Sequence, residues 1–191
     1  SLRLANAELL PFEFSHFTNI VGGYKDEVTA LAGKLRKQVN QHNMLIKSGM
    51  YALANNPKEN LKVPDSKMSV PHFNFAPLEN AMENLEMQSK QFSKAMQNGV
   101  SNVNNKSAVN AILKDMERAL TKEHGLPKRP WYKHHIYAPG FYTGYGVKTL
   151  PGVREAIEQG EFNDVETQIN ILSSVINEFS IKIGTAISLM K

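Results

Sequence analysis

The stretch that decides the fold runs from Gly125 to Ile157 and reads GLPKRPWYKHHIYAPGFYTGYGVKTLPGVREAI. It holds four prolines and five glycines. Proline fixes φ, lacks an N–H donor and disfavours a helical conformation at the residue before it, so this stretch is predicted to interrupt any helix. The only tryptophan, Trp131, and four of the six tyrosines also lie here. Aromatic density is not typical of disorder, and the stretch is therefore predicted to be an ordered functional loop.

Apolar residues spaced by three and four predict amphipathic helices on both sides of this loop. The first predicted long helix has Ser15 as a possible cap, should be weakened near its start by Gly22–Gly23, is strong from Tyr24 and fades at Ser48–Gly49. The second runs from Pro77 to Asn98, and the third from a cap at Ser107 to a C′ glycine at Gly125. The last, from Val165 to Met190, has the widest apolar surface and is expected to be covered on more than one side. A short helix is predicted over Gly152–Gln159. The expected fold is all-α, a four-helix up-down bundle with a long proline-, glycine- and aromatic-rich loop before its last helix.

The chain length of 191 residues and its 41% hydrophobic content fit a single domain spanning residues 1–191. Residues 1–14 are expected to lead into the domain, with a short helical pattern over Leu2–Leu10 that ends at Pro11. Residues 125–160 make up the long loop and the short helix. The stretch Ala54–Asn74 is rich in Asn, Pro, Lys and Ser, which is typical of a surface connection.

Bulk composition excludes several classes of function. The net charge of +4 is small and spread along the chain, so it is a weak indication of binding to nucleic acid or anionic membrane. The chain has no cysteine, which excludes disulfides, thiolate nucleophiles and cysteine–zinc sites. No apolar run approaches the roughly 20 residues that span a bilayer.

The sequence carries no recognisable catalytic motif, because HExxH, GxSxG and the phosphate-binding loop are all missing. The pair His134–His135 is the most plausible metal-binding candidate. Neighbouring residues on an extended segment point to opposite faces, so the two imidazoles are not expected to share a metal. We expect one to pack or hydrogen-bond within the loop and the other to be solvated. No catalytic or metal-binding residue is predicted.

Basic and aromatic residues alternate at the start of the loop, where Lys128, Arg129 and Lys133 interleave with Trp131 and Tyr132. Such a pattern is compatible with a base-stacking platform for nucleic acid. It is equally compatible with rings that anchor the loop to the bundle and with cations that stay outside. We favour the second interpretation, because no basic helix or known nucleic-acid motif accompanies the first.

The segments LPKRPWYKHHIYAP and YGVKTLPGVREAI resemble the C-terminal helical domain of the glutamate carboxypeptidase II and transferrin receptor family. The segment LANAELLPFEF is similar to the beginning of that domain, although residues 54–74 are longer than the family leads us to expect. The resemblance implies a helical bundle that makes most of a homodimer contact. Two zinc ions, their ligands and the general base would belong to a peptidase-like domain outside these residues, so this chain alone is expected to hold no cofactor and to have no enzymatic activity.

The resemblance also implies one contribution to a substrate pocket. In the carboxypeptidase branch, the turn after the IYAP motif walls the pocket, and a Lys–Tyr pair holds the carboxylates of a C-terminal glutamate. The tyrosine matches Tyr145, whereas the lysine position is Gly144, which offers no charge-assisted contact. Glutamate selectivity is therefore not implied. Tyr145 has two open roles, a hydrogen bond to a substrate α-carboxylate or an anchor for its own turn.

The expected partners are a second copy of the chain and the peptidase-like domain of the same protein, with no nucleic acid and no direct membrane contact. The last helix and the helix over Leu78–Met96 are the candidates for the dimer contact, with Ile176, Phe179, Ile183, Leu85 and Phe92 as interface residues. The alternative is a non-catalytic binding module of the transferrin receptor type, although the chain has no RGD segment.

Family members are commonly type II membrane glycoproteins with this domain outside the cytosol. The resemblance therefore implies a membrane-anchored parent protein and an extracytosolic location, at the cell surface or in a secretory or vacuolar lumen. In that setting Asn105, in the tripeptide Asn105–Lys106–Ser107, is a candidate N-glycosylation site.

Overall fold

The computed structural model describes residues 7–53, 62–99 and 103–191, and these are predominantly helical, as predicted. The helices are α1 (Ser15–Lys47), the single turn α2 (Met50–Leu53), α3 (Ala76–Gln97), α4 (Lys106–Lys114), a 3-10 helix (Met116–Leu120), α5 (Pro151–Glu158) and α6 (Phe162–Leu189). Strands β1 (Tyr137–Pro139) and β2 (Val147–Thr149) form an antiparallel hairpin within the loop, with Ala138 opposite Lys148. None of the described helices is long and apolar enough to cross a membrane.

Helix α6 is the centre of the hydrophobic core. It packs most extensively against α3 and also contacts α5, the 3-10 helix and α4. Its fully covered residues include Val165, Ile169, Val175 and Ile183, which lie on more than one side of the helix. This confirms the prediction, from its wide apolar surface, that the last helix is covered on several sides.

Phe14 fixes the start of α1 against the core. Its ring lies 4.9 Å from the ring of Phe92 on α3 and 5.7 Å from that of Phe179 on α6, centroid to centroid. The carboxylate of Glu13 caps the helix by accepting hydrogen bonds from the backbone N–H groups of Ser15, at 2.7 Å, and His16, at 3.2 Å. The prediction that Ser15 caps this helix is therefore wrong.

Helix α1 runs without a break through Gly22 and Gly23, where the sequence predicted a weak start. Buried Val21 and Val28 on either side hold this part of the helix to the core, so packing overrides the low helical propensity of glycine. Residues 62–69 are exposed, as expected for a surface connection, and the side-chain amide of Asn43 on α1 exchanges two hydrogen bonds with the backbone of Lys67. Residues 54–61 lie outside the described ranges.

The third predicted long helix is not continuous. Helix α4 ends at Lys114, and the chain continues through the 3-10 helix instead of running to Gly125. The ammonium of Lys182 on α6 donates to the backbone carbonyl of Asp115 at 3.0 Å, so a tertiary contact satisfies a carbonyl that a longer helix would have used. The prediction of four long helices is wrong at this point, and a four-helix up-down bundle is not confirmed.

The predicted ends of that third helix are also corrected. Its cap is Asn105, whose side-chain oxygen accepts a hydrogen bond from the N–H of Ala108, and not Ser107. Gly125 is not a C′ residue but belongs to a tight turn with φ of +63°, where a Cβ would lie 2.2 Å from the carbonyl oxygen of Pro130. The helical pattern predicted over residues 2–10 lies outside the described ranges up to residue 6, and residues 7–10 are not helical.

Candidate functional site

A buried ion pair holds the aromatic loop together. Arg129 is 3% exposed, and its Nη2 donates to Oε2 of Glu155 on α5 at 2.6 Å. The other oxygen of Glu155 accepts a hydrogen bond from the backbone N–H of Phe141 at 2.8 Å, and Nη1 of Arg129 donates to the carbonyl of Pro139. The pair therefore joins the turn after Gly125, the end of β1 and α5 at one point.

Two aromatic rings shield this ion pair. The guanidinium of Arg129 lies 5.4 Å from the ring centroid of Tyr132 and 5.8 Å from that of Phe141, distances at which a cation is attracted to an aromatic ring. Water is largely excluded, so the pair interacts more strongly than a surface pair does. The β1–β2 hairpin thus projects from a rigid base.

Tyr145 lies in the connection between β1 and β2, and its side chain is fully exposed. It makes no side-chain hydrogen bond or ring contact with any residue in the described ranges, so it does not anchor its own turn there. Gly144, beside it, has φ of +61°, a conformation that glycine adopts without strain. The loop therefore presents a phenol hydroxyl away from the helices, next to a position that carries no side chain.

The nearest cation on the hairpin, Lys148, is paired within the chain. Its ammonium lies 2.7 and 2.9 Å from the two carboxylate oxygens of Glu158 on α5. This pairing holds the ammonium at the base of the hairpin, so Lys148 is not poised to replace a cation at position 144.

Acidic partners engage the basic residues that suggested a nucleic-acid platform. Lys128 pairs with Glu161, and Lys133 pairs with Glu123 at 2.5 Å. Arg129 is buried in the ion pair described above. Trp131 is 70% exposed, but no unpaired cation from this group accompanies its ring, which does not favour a stacking platform for a polyanion.

The two adjacent histidines are both withdrawn from solvent. His135 is buried, and burial together with nearby His124 lowers the pKa of its imidazole to about 4. His134 is only 17% exposed, its Nδ1 accepts from the N–H groups of Ile136 and Tyr137 at 3.3 Å, and burial also lowers its pKa. The prediction that one of the pair packs in the loop is confirmed, whereas the prediction that the other is solvated is wrong.

Within residues 7–53, 62–99 and 103–191, no group of three or more histidine, aspartate or glutamate side chains is arranged to hold a metal ion. The residues described here therefore do not fit either of the two zinc ions that the family resemblance implies.

The five residues predicted at a dimer interface all lie inside a single chain. Leu85, Phe92 and Ile183 are completely buried, Ile176 is 1% exposed and Phe179 is 4% exposed. They form the contact between α3 and α6 and have no free surface for a second copy. We correct their assignment: they are core residues, and any dimer contact has to use other side chains.

Asn105 is exposed at the start of α4, where its side-chain oxygen caps the helix. Exposure is compatible with glycosylation, which stays a prediction.

Sequence reasoning missed the pairing of Arg129 with Glu155. The available signal was a lone arginine among aromatic residues, followed by an acidic residue on the next predicted helix. That signal does not reveal burial, because the same spacing is found in solvated loops.

Comparisons with known proteins support the family resemblance. The family model described as the transferrin receptor-like dimerisation domain matches residues 73–183, which is more than half of the chain. The chain is 43% identical over 72 residues to a probable glutamate carboxypeptidase of Arabidopsis thaliana, covering 34% of this chain and 11% of that protein. It is 31% identical over 93 residues to a probable glutamate carboxypeptidase of Arthroderma benhamiae, covering 47% of this chain and 13% of that protein. The matched segments thus span about an eighth or less of these relatives.

Proposed function

The chain belongs to the transferrin receptor-like dimerisation domain family, and on this premise we propose that it pairs two copies of a glutamate carboxypeptidase-like protein. The family match over residues 73–183 is the observation that carries the proposal. In this proposal the bundle has four members. Three are the helices α1, α3 and α6, and the fourth is the broken segment made of α4 and the 3-10 helix. The chain itself performs no catalysis, and the zinc chemistry of the parent protein resides in its peptidase-like part.

The β1–β2 hairpin is proposed to wall the substrate pocket of that peptidase-like part. Its buried base at Arg129 and Glu155 and its exposed Tyr145 support this role, because a pocket wall needs a fixed position and a free polar group. Tyr145 would donate a hydrogen bond to a carboxylate of the substrate. Gly144 supplies no cation, so we expect the parent protein to accept C-terminal residues other than glutamate.

The second candidate is a non-catalytic module that binds a protein ligand, as in the transferrin receptor branch. Two observations favour it: position 144 has no side chain, and the nearby Lys148 is held by Glu158. A carboxylate-binding site at the hairpin would then have lost its cation. Peptidase activity of the longer protein decides between the two candidates.

We also propose that the parent protein is a type II membrane glycoprotein and that this domain lies outside the cytosol, with a glycan on Asn105. Support comes from the family resemblance and from the exposed position of Asn105 at the start of α4.

Subunit exchange tests the pairing directly. The chain has no cysteine, so Gln97→Cys at the exposed end of α3 gives one labelling position. Donor- and acceptor-labelled chains should develop energy transfer on mixing, and an excess of unlabelled chain should abolish it. Absence of energy transfer at every concentration, with the fold intact by circular dichroism, would refute the pairing.

The pocket role is tested in the longer protein that carries this chain. Tyr145→Phe removes only the hydroxyl and should raise KM for peptide substrates about tenfold or more, the effect of losing a charge-assisted hydrogen bond. Tyr142→Phe is the matched control, because that tyrosine is 77% exposed on the same hairpin. Equal KM values for the two variants would show that the hydroxyl of Tyr145 does not contact the substrate.

A further inference from the structure

One face of α1 has no partner within the described chain. The residues Asn19, Gly23, Asp26, Ala30, Gly33 and Lys37 are all exposed and recur at intervals of four and three, so they lie in one line along the helix. We call this line the α1 stripe. The opposite side of α1, with Val28, Ala32 and Val39, faces the core.

Opposite charges lie at the two ends of the α1 stripe. Toward its N-terminal end, Asp26 is 73% exposed and pairs with the neighbouring Lys25 at 2.7 Å, and Glu79 and Glu83 of α3 line the groove that runs beside Gly22 and Gly23. Toward its C-terminal end lie the exposed residues Lys34 and Lys37. In the described ranges, neither these two lysines nor Glu79 and Glu83 form an ion pair. An acidic patch, two of whose carboxylates come from α3, and a basic patch on α1 therefore lie along one surface, separated by Ala30.

The glycines of the α1 stripe have no packing role among the residues that the structure describes. A glycine inside a helix costs about 1 kcal/mol relative to alanine. A Cβ added at Gly23 or Gly33 would meet no atom within 4 Å, so packing inside this chain does not require glycine at either position. Glycine does allow another backbone to approach closely.

We propose that a second copy of this chain packs antiparallel on the α1 stripe, about a two-fold axis at Ala30. In this register Asp26 lies opposite Lys34 of the second copy, and Gly23 lies opposite its Lys37, beside Glu79 and Glu83. Two-fold symmetry repeats the same contacts on the other side of the axis. A parallel arrangement would instead set acid against acid and lysine against lysine. The inference rests on the proposed dimerisation and specifies the surface that performs it.

The mixed charge of this face selects a second copy over other occupants. An anionic membrane or a nucleic acid would be attracted to Lys34 and Lys37 but repelled by Asp26, Glu79 and Glu83. A second copy turned by 180° satisfies both patches at once, and it is the occupant whose charge pattern is known to be complementary.

Two charge-reversed variants test the contact. Lys34→Glu with Lys37→Glu makes the whole face acidic, and Asp26→Lys with Glu79→Lys and Glu83→Lys makes it basic. Each variant alone should self-associate at least about tenfold more weakly than the unmodified chain, because like charges then face each other. An equimolar mixture of the two should restore association, because both halves of the contact are again complementary. The control for the first variant is Lys94→Glu with Lys114→Glu, which makes the same change in net charge at exposed residues away from the face.

Association is measured by sedimentation velocity over a concentration series. Weak self-association of each variant, recovery on mixing and an unchanged control would support the antiparallel pairing. Unimpaired dimers of both variants would overturn the inference and leave the proposed dimerisation intact on another surface. A monomeric unmodified chain would instead overturn the proposed dimerisation, and the inference with it.

Gly33→Leu gives an independent test, because it should weaken dimerisation without lowering the stability of the folded chain. Leucine favours the helix over glycine and has open space within the chain, so thermal stability at low concentration should not fall. The same side chain at the centre of the contact should weaken dimerisation at least about tenfold. Unchanged dimerisation would contradict the close approach of the two helices.

Discussion

Nη2 of Arg129 lies 2.6 Å from Oε2 of Glu155, and this contact links the proline-rich loop to α5 in the interior of the domain. Each partner also bonds to the hairpin, through the carbonyl of Pro139 and the N–H of Phe141. The position of the hairpin therefore depends on one ion pair that is shielded from solvent.

Arg129→Met should destabilise the chain by about 3–5 kcal/mol, because the carboxylate of Glu155 would stay largely buried without its counter-charge. The double variant Arg129→Met with Glu155→Leu should lose less free energy of unfolding than the two single variants lose in sum. Urea denaturation of the four proteins gives the coupling energy of this cycle. A coupling near zero would show that the pair does not hold the loop.

Ile183→Asp should unfold the domain instead of merely separating dimers, because Ile183 is completely buried between α6 and its neighbours. An unpaired carboxylate at such a position costs on the order of 4 kcal/mol or more. Ile181→Asp, two residues away and 64% exposed, is the matched control and should change stability by less than about 1 kcal/mol. Circular dichroism on heating distinguishes the two, and a folded, monomeric Ile183→Asp protein would restore the interface role predicted from sequence.

Stability should fall on acidification from pH 6.5 toward pH 4 in part because of His135. Its pKa is about 4 in the folded chain and near 6.5 when unfolded, so between these values the unfolded state binds the extra proton. The contribution of His135 to the free energy of unfolding is complete above pH 6.5 and is lost as pH approaches 4. Its size is on the order of 3 kcal/mol. His135→Phe should flatten this part of the stability profile measured by urea denaturation, whereas the exposed His72→Gln should not. Identical profiles for both variants would contradict the buried, neutral imidazole.

Two substitutions distinguish the capping role of Asn105 at the start of α4 from its proposed glycosylation. Ser107→Ala destroys the acceptor tripeptide but leaves the cap of Asn105 in place, whereas Asn105→Ala removes both and should cost about 1 kcal/mol. After expression through a secretory pathway, a glycan detected by mass spectrometry should disappear in both variants, with lower stability in Asn105→Ala alone. A glycan that persists in Ser107→Ala would exclude Asn105 as its site.

Sequence periodicity was sufficient to predict the helical class, the short helix α5 and the central position of α6, because these depend on apolar spacing along a single helix. It failed where distant residues decide the local structure. Lys182 satisfies the carbonyl of Asp115 where the α-helical hydrogen bonds end, and the backbone of Pro130 leaves no room for a side chain at Gly125. Neither contact can be inferred from the neighbouring sequence.

For the candidate site too, the sequence predicted some features and the structure was needed for others. Tyr145 and Gly144 are pocket candidates by resemblance alone, and the structure adds that Tyr145 is exposed. The dimer residues were misassigned because an apolar stripe indicates burial but not whether the covering surface belongs to the same chain. Phe179 and Ile176 are covered by their own chain, whereas the exposed face of α1 is polar and gave no hydrophobic signal.

The most direct test of the central claim is sedimentation equilibrium of the unmodified chain over a wide range of concentrations. The proposed function predicts a mass that rises from 21.4 kDa toward twice that value as concentration increases. The pairing on α1 further predicts that the dimer weakens at about 1 M salt, where charges are screened within about 3 Å. A mass that stays at 21.4 kDa at every concentration and salt would contradict the account.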